Sequence, residues 1–171
     1  DIDMYTSYFP YINLETGDMI EYKIYAQDNS AAQNSSVFPA NGFQTFYITD
    51  RISFEENQFS HNWEFTGNQN WFISSDESQH GLYSAESGNI DHNQSSSISI
   101  HFTCDETADI SFYKKVSCED GYTDDWDYLK FEIDGTEQDR WDGEVPWSQE
   151  TYSVSSGSHT LSWVYIKDIS V

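Results

Sequence analysis

Aromatic faces set among carboxylates are the chemistry this sequence offers most of. The stretch FEENQFSHNWEFTGNQNWFIS, residues 54–74, holds six aromatic residues, three acidic ones and no Lys or Arg. Such a mixture reads three ways. An exposed aromatic ring stacks on the C–H face of a sugar while acids and amides take its hydroxyls. Carboxylate and amide oxygens hold a hard cation, which needs about six to eight of them. Or the aromatics are the inward residues of strands and the acids their solvated faces. A second stretch, GYTDDWD at residues 121–127, sets Tyr122 and Trp126 among Asp124, Asp125 and Asp127. A tryptophan flanked by acids in a loop is expected to be partly exposed. Trp141, between Arg140 and Asp142, is intermediate. Trp126, Tyr122 and Trp141 are therefore the candidate contacts for a glycan or a protein.

The motifs of catalysis are missing. There is no G-x-S-x-G elbow, no H-E-x-x-H and no phosphate loop. The histidines at 61, 80, 92, 101 and 159 show no metal-ligand spacing. Paired acids could serve a glycosidase, but 30 acids in 171 residues make such pairs by chance. The expectation is a non-catalytic chain, any catalytic domain lying outside it.

The elements that must position these residues are strands. Hydrophobic residues are 37% of the chain and aromatics 17%, with 12 Tyr, 11 Phe and 6 Trp. That bias favours β-structure. Period-two alternation recurs in EYKIYAQ, SISIHFT, YLKFEID and TLSWVYI. In SISIHFT, Ile98, Ile100 and Phe102 share one face against Ser99, His101 and Thr103. Turn residues punctuate the runs at Asp120-Gly121, Asp134-Gly135, Asp142-Gly143 and Ser156-Gly157. The predicted fold class is all-β and antiparallel. Residues 1–49 offer three strands, about 4–12, 19–27 and 43–49, with 26–42 a polar loop. Three strands cannot close a sandwich, so this part reads as the trailing end of a domain. Residues 50–171 offer about nine strands, enough for a two-sheet sandwich of jelly-roll type.

Net charge of −23 repels phosphate backbones and anionic headgroups and attracts cations. No nucleic-acid or membrane-inserting role is expected. The chain opens Asp-Ile-Asp and carries no signal peptide, which reads as an internal piece of a longer, processed protein. Residues 97–103 and 109–117 read as the arms of one hairpin, with Cys104 at its turn and Cys118 at its far end. At roughly 3.3 Å per residue the two lie well beyond the roughly 7 Å Cα separation of a disulfide, and no bond between them is expected.

Taken in order, FEEN, the Trp-rich stretch, GNQNWFI, HGLYSAESGNI, HNQSSSISI, ISFYKKVSCE, DYLKFEIDGTEQDRWDGEVPW and SGSHTLSWVYIKD resemble a known kind of module. It is the jelly roll of secreted multidomain proteins of the Bacteroidetes, similar to the cleaved-adhesin domains of gingipain-type proteases and to MAM domains. The resemblance covers about residues 52–168. GDMIEYKIYAQDNS, Pro39, Gly42 and QTFYI resemble the closing strands of an immunoglobulin-like or fibronectin-like module. The resemblance implies a secreted or cell-surface module that adheres, attaches or assembles. The alternative it implies is a carbohydrate-binding accessory module of a secreted hydrolase or protease. It implies a structural calcium ion, with Glu55 at the "Phe-Glu" position, Asp76 in an acidic loop, and Asn68 and Asn70 as lesser ligands. It places Trp63, Trp71, Trp147 and Trp163 inside or at the rim of the sandwich. Relatives commonly continue past the "Tyr-x-Lys-Asp" strand into another; either KDISV is that closing strand or, as the better match of HTLSWVYIKD to the preceding strand implies, the last strand is missing and leaves an open edge free to pair with a neighbouring subunit.

Overall fold

The computed structural model describes residues 19–27, 34–47, 52–121 and 126–169. The described residues are all-β, with every ladder antiparallel. The chain divides into two compact units, Asp1–Arg51 and Ile52–Val171.

In the first unit, β1 (Met19–Tyr22) pairs with β4 (Gln44–Tyr47), and β2 (Ile24–Gln27) with β3 (Ser35–Phe38). The single strand expected over 19–27 is thus two, parted at Lys23 and paired with different partners. The segment expected as a polar loop contains β3, whose Ser-Ser-Val-Phe ends in residues that favour the extended chain. The strand expected at 4–12 lies outside the described residues.

The second unit has nine strands among its described residues. They are β5 (Trp63–Gly67), β6 (Phe72–Ser74), β7 (Ser84–Glu86), β8 (Ser95–Cys104), β9 (Ala108–Ser117), β10 (Tyr128–Ile133), β11 (Thr136–Trp141), β12 (Glu144–Val154) and β13 (Gly157–Ile166). One sheet runs β11-β10-β13-β8-β5; β12-β9 and β6-β7 form separate ladders. The β10–β11 hairpin turns on Asp134 and Gly135, with φ of 54° and 73°. That pair of positive values is what a two-residue hairpin of matching twist demands, and Asp-Gly supplies it.

Alternation buries Ile98 and Ile100 of β8, Leu129 and Phe131 of β10, and Leu161 of β13. Phe112 of β9 and Tyr152 of β12 face them, with ring centroids 4.7 and 4.8 Å from Phe131. The β9–β12 ladder therefore packs face to face on the five-stranded sheet, in a sandwich-like arrangement. One inward position of β9 is charged. Lys114, 5% exposed, donates to Ser148 Oγ at 2.6 Å, pairs with Glu150 at 3.0 Å and sits 4.7 Å over the Trp141 ring. Such pairing is what permits an ammonium to be buried.

One expectation is corrected. Both arms of the predicted hairpin form, as β8 and β9, but they do not pair with each other. Both edges of β8 are occupied, by β13 and β5, and the chain crosses to the other layer before β9. Cys104 and Cys118 are free thiols, donating to the carbonyls of Ser155 and Asp127, each at 3.2 Å. The last of the described strands, β13, is central in its sheet, bonded on both sides. The outer strands of that sheet are β5 and β11.

Candidate ligand cleft and the adjoining acidic cluster

A cleft of about 380 Å³ opens in the second unit, walled by Trp71, Trp147 and Tyr165 over a floor of Val116 and Leu129. Asp76, Glu77, Glu86 and Lys115 stand around it.

Trp147 reaches the cleft because β12 is interrupted. Val145 pairs with Val116, yet Ser148 pairs with Lys114, so Pro146 and Trp147 together oppose Lys115. This is a β-bulge. Proline has no N–H to give the ladder, which is why the extra residue sits here. The bulge re-aims the tryptophan.

Trp71 is placed from the opposite side. It enters the short β6–β7 ladder, and the preceding chain is tied down by Ser96, which is fully buried. Ser96 Oγ accepts the Gly88 N–H at 3.1 Å and donates to the Gln69 carbonyl at 2.8 Å. A Cβ on Gly88 would lie 2.4 Å from Gln69 Cβ, so only glycine allows this approach.

The loop between β6 and β7 carries the acids. Asp76 donates its N–H to Ser74 Oγ at 3.2 Å, Ser84 Oγ donates to the Glu77 carbonyl at 2.7 Å, and Lys115 forms an ion pair with Glu77. Glu55 holds the far end of the loop. Its carboxylate accepts the N–H groups of Leu82, at 3.0 and 3.2 Å, and Tyr83, at 3.3 Å. Gly81 lets it come close: φ is +72°, and a Cβ there would meet the carboxylate at 2.3 Å.

The acidic cluster adjoins the cleft through Tyr165. Glu119, Asp127 and Asp168 have carboxylate oxygens within 4.8 Å of one another. Asp127, 3% exposed, accepts the Asp168 N–H at 3.0 Å and the Tyr165 hydroxyl at 3.4 Å, with Lys167 Nζ at 3.4 Å. Burial, then the Asp127 charge, push the Tyr165 phenol well up. Burial pushes the Cys118 thiol up to about 11, so it stays protonated and inert.

Sequence reasoning named seven residues, and the structure distributes them. Asp76 lies in the β6–β7 loop, and Glu55, from the segment before β5, accepts two of that loop's amides. Asn68 clamps β5 to β8, its Oδ1 accepting the Ser95 N–H at 3.0 Å. Asn70 is exposed, its carbonyl 2.7 Å from the place a Gly88 Cβ would take. No hydrogen bond joins any two of these four. Trp126 is 37% exposed beside Asp127. Trp141 is half-buried, its face under Lys114 and its ring 6.4 Å from Phe112. Tyr122 lies outside the described residues. The cleft tryptophans, Trp71 and Trp147, were read as core or rim. The signal that would have separated Trp147 is Pro146, a proline inside a strand pattern.

A hydroxyl–imidazole–carboxylate chain also exists. Thr160 Oγ1 lies 2.8 Å from His101 Nδ1, and His101 Nε2 lies 3.5 Å from Glu64. His101 and Glu64 are 57% and 63% exposed. On an open sheet face water screens the charges that activate such a hydroxyl. Nearby, His159 Nδ1 lies 2.7 Å from Asp134 Oδ2. That bond, with the Ser155 carbonyl, raises the imidazole, and Thr160 N–H followed by His159 holds the Asp134 carboxyl low.

Comparison with known protein families, curated proteins and solved structures finds no match to this chain.

Proposed function

We propose that the chain is a non-catalytic, extracellular attachment module of a larger secreted or surface protein. Its second unit is read as a jelly-roll β-sandwich, and its first as trailing strands of an immunoglobulin-like or fibronectin-like module. The observation that carries the reading is the cleft, in which two tryptophans and a tyrosine are set among carboxylates. The bulge at Pro146–Trp147 and the close approach of Gly88 to Gln69, tied by Ser96, shape it. Clefts of roughly 300–1,000 Å³ with aromatic walls and a few polar groups are where proteins take small ligands or single side chains. Net charge of −23 suits a soluble module facing cations. A structural calcium ion is part of the proposal, carried by the resemblance. Assembly with a neighbouring subunit is a further part, and the outer strands β5 and β11 are the places for it. β11 is the less suited of the two, since Glu137, Asp139 and Arg140 charge it.

The same two tryptophans favour the second reading, a carbohydrate-binding accessory module of a secreted hydrolase or protease. Retention of the fluorescently labelled full chain on intact cells and on insoluble polysaccharide tests both. Saturable retention on cells, lost in Trp147→Ala, is expected. Retention on polysaccharide alone selects the accessory module. No saturable retention on either, or retention indifferent to Trp147, removes the cleft as the attachment site.

A further inference from the structure

The cleft lining carries three carboxylates and one ammonium. Asp76 and Glu86 present carboxylates to which no described residue donates. Five of the side-chain donors that line it are committed or buried, while the Ser87 hydroxyl and the Trp147 N–H, which also line it, stand beside them. Ser84 Oγ donates to the Glu77 carbonyl and Ser117 Oγ to the Glu144 carboxylate, both at 2.7 Å. Tyr165 donates to Asp127 at 3.4 Å, and Lys115 to Glu77. The Trp71 N–H is buried beneath the surface. A sugar brings hydroxyls that both donate and accept, and needs both in return. Here a ligand finds acceptors, aromatic faces and three carboxylates against one ammonium that is already paired.

A ligand whose polar end only donates fits that lining. A guanidinium offers five N–H donors and no acceptor, takes a carboxylate with two parallel bonds, and stacks on tryptophan. The ring faces attract its charge as well. An ammonium shares the charge but not the planar fork.

We infer that the cleft takes a cationic side chain, an arginine, projecting from a basic segment of a partner protein. Asp76 and Glu86 bind the guanidinium, and Trp147 and Trp71 flank it. A volume of about 380 Å³ suits one such side chain and its approach. This rests on the attachment reading above and gives the partner its chemistry.

The test titrates the full chain with a blocked hexa-arginine peptide at about 0.15 M salt, where charges beyond roughly 8 Å are screened. Binding is read by calorimetry and tryptophan fluorescence. Hexaglutamate and cellohexaose are the comparison probes. Asp76→Asn with Glu86→Gln removes the two free carboxylates. Asp105→Asn with Glu106→Gln, in the exposed β8–β9 connection, removes the same charge elsewhere.

Saturable binding of hexa-arginine, weakened about tenfold by the cleft pair of substitutions and less than twofold by the other, is the expected result. Equal weakening by both would assign the binding to the acidic surface at large and overturn the inference. So would absence of saturable binding, or cellohexaose binding that depends on the same two acids. If hexa-arginine fails while cell retention still needs Trp147, this inference falls and the attachment reading stands. If both fail, both fall.

Discussion

The second unit contains two aromatic clusters built from the same residue types, and they meet opposite fates. Around Phe131, which is fully buried, Phe112, Tyr152 and Trp163 pack with ring centroids 4.7 to 5.1 Å away. Phe112, Phe131 and Trp163 alternate inward along β9, β10 and β13, and Tyr152 along the stretch of β12 beyond its bulge. Trp71 and Trp147 flank an open cleft instead. Trp71 stands at the entrance to a three-residue strand, and Trp147 sits on a bulge. A bulge alone does not decide between them, since the β10–β11 ladder also shifts beside Phe131; within β12, Trp147 sits on the bulge and Tyr152 in the unbroken pairing beyond it.

The sharpest way to break that comparison is to truncate one aromatic from each. Phe131→Ala removes a fully enclosed ring and leaves a cavity, so a loss of about 3–5 kcal/mol is expected in chemical denaturation. Trp147→Ala removes a half-buried ring beside open space, and a loss of roughly 1–2 kcal/mol is expected. Ligand retention should disappear in the second variant. If Trp147→Ala proves as costly as Phe131→Ala, the cleft is core and the comparison fails.

The strands of the regular region were legible because period two is written plainly in SISIHFT, YLKFEID and TLSWVYI. Asp134-Gly135 announced its hairpin equally well, since few other pairs accept two positive φ values. What alternation cannot convey is which strand lies beside which. β8 and β9 looked like one hairpin because a short turn joins them; nothing local records that β13 and β5 occupy the edges of β8. The cleft was hidden for a related reason. Its walls come from segments before β6, within β12 and within β13, brought together by long-range pairing alone. Glu55 was singled out from the residues and the resemblance, and it lies beside the cleft loop, but its bonds to Leu82 and Tyr83 depend on Gly81, twenty-six residues on.

Calcium sharpens the comparison at the margin of the cleft. The carboxylates Glu55 and Asp76 lie in the β6–β7 region, and Glu119, Asp127 and Asp168 lie behind Tyr165. Binding confined to the native state stabilises it by RT ln(1 + [L]/Kd), about 2.7 kcal/mol at a hundredfold excess over Kd. A melting temperature that rises with calcium, and falls back with chelator, is expected. Loss of the rise in Asp76→Asn assigns the ion to the loop, and loss in Glu119→Gln assigns it to the cluster. Glu55→Gln should destabilise with or without calcium, because its carboxylate already serves two amides. No rise at millimolar calcium disposes of the ion altogether.

The smallest effect belongs to the regular sheet and its pair His159–Asp134. Hydrogen bonding to Asp134 raises the imidazole above its ordinary value, so its stabilisation is complete below about 6.5 and fades as pH climbs through the raised folded value. The Asp134 carboxyl is held low, so its share is complete above about 3.9 and fades only as pH falls through the lowered folded value. Both contribute together between those two ordinary values. Other acids and histidines titrate as well, so the difference between proteins is the observable. The melting temperature of the unmodified chain should fall more between pH 6 and pH 8 than that of His159→Gln. As pH falls through the lowered folded value of Asp134, the gap between the two should shrink again. The bond from Thr160 N–H to Asp134, at 2.8 Å, outlasts the imidazole's loss of charge and keeps the hairpin end in place on the alkaline side. Parallel curves for the two proteins across pH 6–8 would show that the pair carries no folding energy at all, and that backbone pairing alone holds the end of this sheet.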